Sequence, residues 1–246
     1  MSSLPSQTTP SREATLADAI LSGVAVAGGI LTAIILTGQW QPLSMSMGSV
    51  LAQISRGLGA APAADSHVYW YMSRSAGIVA YLLLWGSVAW GLMVSNKILD
   101  GVVKPVLTYE LHQFVSILAL AVGAFHAFIL LGDTYTQFGL LDLLLPFRSA
   151  YQPFWVGVCI LALYLIAIIT VSFYIKKRLG HRTWRVLHYA SFGAWIMVTL
   201  HSVVIGSETA SPVMTIVYLS AILSVSFLLT YRILMSKWFG RVPVTR

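Results

Sequence analysis

Charge is what this sequence has least of. Charged residues make up 9% of its 246 positions against 57% hydrophobic ones, a balance that leaves little room for a soluble domain and describes an all-α, polytopic membrane protein. Acidic residues are the scarcer sign, eight against fifteen Lys and Arg, for a formal charge of +7. Gathered on one patch, that surplus would suit nucleic acid. Spread over the loops of one side of the chain, it reads as a topology signal and excludes nucleic acid as a partner. Cysteine occurs once, as Cys159 inside an apolar run, so no intrachain disulfide can form and the residue reads as core packing. No G-x-G-x-x-G fingerprint opens a helix after a strand, and no internal repeat of the kind that builds a midplane transporter site is visible.

What is present is long apolar runs. Residues 1–14 are polar and rich in Ser, Thr and Pro, as in a disordered cytoplasmic tail, and 15–246 form the membrane domain. Six spans are expected, near residues 16–38, 75–94, 108–131, 154–175, 186–205 and 212–235. For the first, a cleaved signal peptide is the alternative. Met47, Val50, Leu51, Ile54 and Leu58 fall at helical spacing, as in a helix lying in the interface, and FGLLDLLLPF, ended by Pro146, suggests a second. With six spans both termini share a side, and twelve of the fifteen basic residues fall on that side. Only Arg56, Arg74 and Arg148 fall on the other. The bias predicts an integral protein of the cell membrane with cytoplasmic termini.

Four histidines lie inside these runs, His112 and His126 in the third span, His188 and His201 in the fifth. An ionisable side chain at that depth is costly and marks a function. The fourteen-residue step from His112 to His126 rises about 21 Å and returns to within about 40° of the same helix face, one ring in each leaflet. The thirteen-residue step from His188 to His201 leaves the rings about 140° apart, which predicts a bend or π-bulge, with Gly193 inside the stretch. Both spans run the same way, so His112 pairs in depth with His188 on the cytoplasmic side, and His126 with His201 on the outer side. Four imidazoles paired in this way suit two flat macrocycles whose irons each take a nitrogen from either face, as in haem, and they suit zinc poorly. Histidines satisfied one by one are the plain alternative. His67 and His181 fall in loops and stay outside the site.

WYMSRSAGIVAYLLLW, the LHQ opening of the third span, YQPFWVG before the fourth, and HRTWRVLHYASF into the fifth resemble the ferric reductase-like transmembrane domain family. The resemblance runs from about residue 15 to residue 235. It implies a six-helix bundle with two stacked b haems, the inner held by His112 and His188, the outer by His126 and His201. It further implies that Arg74 and Arg185 bond haem propionates or an incoming acceptor, and that Trp195 stands between the haems. Snorkelling and topology are the alternatives for the arginines, packing for the tryptophan. Oxidases and eukaryotic ferric reductases carry FAD and NAD(P)H domains after the sixth span. Here about ten residues follow it, so no FAD or NAD(P)H site is expected in this chain.

The implied function is a membrane cytochrome b, an oxidoreductase component moving single electrons. Its partners would be membrane lipid, a separate flavoprotein or quinol donor, and an extracytoplasmic acceptor, which could be a protein subunit. Two readings compete, a haem-binding anchor of a larger redox complex and a proton-coupled transporter using the histidines.

Overall fold

The computed structural model describes residue 23, residues 68–133 and residues 136–239. The expected tail, the first span apart from Gly23, and the first interfacial helix, together with His67, lie outside the described residues. Within them the long helices are α1 (Val68–Ser95), α2 (Pro105–Phe128), α4 (Pro153–Tyr174), α6 (His181–Ile205) and α7 (Pro212–Phe239), with short turns α3 (Leu140–Leu144) and α5 (Lys176–Leu179) between them. There is no strand among the described residues, and all five long helices are long and apolar enough to cross a membrane.

Local sequence sets the helix starts. Pro105, Pro153 and Pro212 each occupy a first helical position, where a missing N–H costs nothing and the fixed φ favours the turn. Gly180, at φ +79°, supplies the left-handed residue that separates α5 from α6. Side chains such as Phe114, Ile117, Phe125, Ile168, Val171 and Phe227 face outward as an apolar belt suited to lipid.

Helix α1 packs on α2, α6 and α7, while α4 packs on α6 and α2. The result is a ring α1–α2–α4–α6, with α7 closing the α1 side and α2 standing diagonally across from α6. Apolar burial gives helices little reason to associate in lipid, so close packing and interhelical hydrogen bonds hold such a ring. Trp85 Nε1 donates to Ser224 Oγ at 2.9 Å, Trp90 Nε1 to the Thr108 carbonyl at 3.0 Å, and Tyr218 Oη to the Ser202 carbonyl at 3.1 Å. Ala162, Ala194, Trp195, Thr199, Ile222, Val225 and Leu229 form its most enclosed positions.

Three expectations need correction. Helix α1 begins at Val68 rather than near residue 75, so Trp70 and Tyr71 belong to its first turns. Helix α6 begins at His181 rather than near residue 186, and the basic segment KKRLGHRTWR is mostly helical, because Gly180 alone breaks it. No π turn interrupts α6 between His188 and His201. The two rings line different cavities, His188 one and His201 the other. Gly193 has open space where a Cβ would sit, so no close packing requires it. The second interfacial segment does contain a helix, α3, with Leu143 buried and Leu140, Leu141 and Leu144 exposed.

Candidate functional site

Two cavities lie along the axis of the four-helix ring. The first, about 310 Å³, has His112 and Ser116 of α2 on one side and Arg185, His188 and Phe192 of α6 on the other. The second, about 340 Å³, has His126 of α2 facing Val198, His201 and Ser202 of α6. The structure thus brings His112 together with His188, and His126 together with His201. The first cavity lies toward the end that carries Lys97, Lys104, Lys176, Lys177 and Arg178, called the basic end below, and the second toward the opposite end.

The His112 and His188 ring centres are 6.1 Å apart, with planes 78° to each other. An iron held between two opposed imidazoles, with metal–nitrogen bonds of about 2 Å and ring centres about 1 Å behind each nitrogen, needs about 6 Å between centres. Among the described residues no three His, Cys, Asp or Glu side chains gather into a metal-binding group, so a many-ligand zinc site is not built from them. Two imidazoles per cavity is the donor set present, and it fits a macrocycle that supplies the remaining ligands itself.

At the opposite end the rings are already oriented. His126 Nδ1 donates to the Ser73 carbonyl at 2.7 Å, and the Ser73 hydroxyl donates to the His126 carbonyl at 2.9 Å. His201 Nδ1 donates to the Trp155 carbonyl at 3.0 Å. A carbonyl can only accept, so each Nδ1 carries the proton and each Nε2 keeps its lone pair. Histidine ligands of metals are commonly held in this arrangement. At the basic end His112 Nδ1 is buried against the Ser87 backbone in a weaker, poorly aligned contact, and His188 instead stacks on Trp184, with ring centres 5.1 Å apart and planes 23° to each other.

Helix α1 supplies a second ladder that the sequence reading passed over. Ser73 and Gly77 stand against His126, and Ser87 and Gly91 stand near His112. Both steps along α1 are fourteen residues, as in α2, which antiparallel helices in one register require. A Cβ on Gly77 would lie 2.9 Å from His126 Cε1 and Nδ1, and one on Gly91 would lie 2.9 Å from His112 Cε1. Each glycine is therefore the floor beneath an imidazole. Ser87 donates to Ser116 Oγ at 2.6 Å, and Ser116 donates to the His112 carbonyl at 2.7 Å.

The remaining expected residues are placed as follows. Arg74 lines the opposite-end cavity, forms an ion pair with Glu208 and lies 5.1 Å from the Trp70 ring centre. Arg185 lines the basic-end cavity and donates to His181 Nε2 at 2.8 Å. Trp195 is fully buried in the core and lines neither cavity, and its Nε1 has no hydrogen-bond partner among the described residues. The parts that Gly77, Gly91, Ser73, Trp184, Glu208 and Arg232 take around the rings and cavities were not anticipated. The S-x-x-x-G of SRSAG and SVAWG, repeated at the histidine spacing, was the available signal for four of the residues facing the rings.

A family model described as a domain of unknown function (DUF8596) matches residues 68–208, more than half of the chain and all four histidines. No curated protein and no solved structure matches it.

Proposed function

The chain belongs to the family described as a domain of unknown function (DUF8596), and for it we propose a membrane cytochrome b that carries single electrons across the bilayer between a donor at the basic end and an acceptor at the other. The observation that carries this reading is two opposed-imidazole cavities stacked along one ring of helices, one of them with ring centres 6.1 Å apart. His112 and His188 would hold one haem b, and His126 and His201 the other. Bound there, haem would supply reversible one-electron iron chemistry.

The chain's own residues bind, orient and keep out water. The Ser73 and Trp155 carbonyls hold two rings in the ligating tautomer, Gly77 and Gly91 leave the rings their space, and the apolar walls exclude solvent. The orientation we propose has six spans in the cell membrane, with the basic end and both termini cytoplasmic. A flavoprotein or a quinol serves as donor, because a hydride carrier delivers two electrons and an iron takes one. The acceptor is extracytoplasmic and includes the case of a protein subunit, for which this chain is the membrane anchor.

The test is spectroscopic. Protein purified from haem-sufficient cells carries about two b-type, low-spin centres per chain by pyridine haemochrome assay. A folded, colourless preparation would end the reading. A second expectation concerns the donor: with no flavin in the preparation by mass spectrometry, dithionite reduces the centres and NADPH alone does not. Rapid reduction by NADPH in stopped flow would mean a nucleotide site in this chain.

A further inference from the structure

The two cavities differ in charge and in how their imidazoles are held, and both differences act in the same direction. Arg185 and Arg232 line the basic-end cavity, whose lining contains no Asp or Glu. Their hydrogen bonds go to neutral acceptors, His181 Nε2 and the Ser95 carbonyl, each at 2.8 Å. Neither arginine makes an ion pair among the described residues. At the opposite end Arg74 and Glu208 both line the cavity and are paired with each other, so their charges cancel.

The rings add an independent contrast. Both imidazoles at the opposite end donate Nδ1–H to a backbone carbonyl, which makes Nε2 a stronger electron donor and favours the oxidised, more positive metal. At the basic end His112 Nδ1 meets the Ser87 backbone only in a weaker, poorly aligned contact, and His188 is held by the Trp184 face. Uncancelled positive charge and weaker donor nitrogens both favour the state with the extra electron.

We infer that the His112–His188 site is the more easily reduced of the two, so that an electron shared between them rests at the basic end. The assignment rests on the cytochrome reading. It also constrains the partner at the other end, because an acceptor there must draw an electron that is more stable at the basic end. Only a strongly oxidising acceptor is then reduced to completion. Arg232 and Glu208 act here as positioning residues, through charge.

Potentiometric titration with optical detection tests this on the detergent-solubilised full chain. Wild type shows two transitions, and His201→Ala removes the lower one. Arg232→Gln lowers the upper transition by about tenfold in the reduction equilibrium, about 59 mV for one electron, and leaves the lower one in place. Arg232→Lys, which keeps the charge, restores most of the shift, as a purely structural role would not. Glu208→Gln frees Arg74 and raises the lower transition alone. Loss of the upper transition in His201→Ala, or equal movement of both in Arg232→Gln, would overturn the assignment while leaving a two-centre cytochrome intact. A colourless wild-type protein would overturn the cytochrome reading and this assignment together.

Discussion

If the chain is the two-haem cytochrome proposed above, replacing His126 with Ala removes one b-type centre and spares the other, so the haem-to-protein ratio falls from about two to about one. The expectation follows from the separation of the sites. His126 and His201 line one cavity and His112 and His188 the other, and no residue of either pair lines both. His201→Ala should therefore leave the same residual spectrum and the same residual potential as His126→Ala. His112→Ala and His188→Ala should leave the complementary ones. Losing a residue that only orients a ligand typically weakens metal binding about 10–100-fold, and losing the ligand itself costs more. Haem content, the reduced-minus-oxidised spectrum and a redox titration on all four single variants check the result. If His126→Ala and His112→Ala left indistinguishable residual centres, the pairing would be wrong.

The histidine ladder is legible in the sequence because its physics is local. Fourteen residues return to nearly the same helix face, and intramembrane imidazoles are rare enough to stand out. The pairing across the ring is legible too, since it needs only that α2 and α6 run in the same direction. The partners of the rings were harder to read. Gly77 and Gly91 are glycines because a neighbouring helix brings a ring within 2.9 Å of where a Cβ would be. That reason exists only once α1 and α2 are in register. Trp184 lies four residues before His188, a spacing that places two rings together on a helix. It carried no weight while HRTWR was taken for a loop, and Gly180 starts the helix earlier than the basic residues suggest. Glu208 is a single acid in a short loop, and its meaning depends on Arg74 across the bundle. The 140° offset on α6 led to the expectation of a bend or π-bulge, and no π turn interrupts the helix there. A helix can serve two cavities from two faces.

The glycines give the other large effect. In Gly77→Val the added side chain starts 2.9 Å from both Cε1 and Nδ1 of His126. That ring cannot swing aside cheaply, because Nδ1 is bonded to the Ser73 carbonyl at 2.7 Å and the Ser73 hydroxyl holds the His126 carbonyl at 2.9 Å. Relief requires either breaking those bonds or opening α1 from α2, and forcing extra carbons into a packed interior costs about 1–3 kcal/mol, or roughly 5- to 150-fold in retention of the centre. Gly91→Val meets His112 at the same 2.9 Å, but only at Cε1, with Nδ1 at 3.4 Å and only the weaker Ser87 contact at Nδ1 to give way. The ring there has more freedom to turn. The expected order of loss is thus the opposite-end centre in Gly77→Val first and most completely, then the basic-end centre in Gly91→Val. Alanine at each position should act in the same order with smaller effect. Each variant should affect its own centre and leave the other's spectrum and potential unchanged, which separates a displaced ligand from a general failure to fold. The same haem assay and redox titration read the outcome. Gly77→Val protein that kept both centres at wild-type potentials would show that α1 does not form the floor beneath His126.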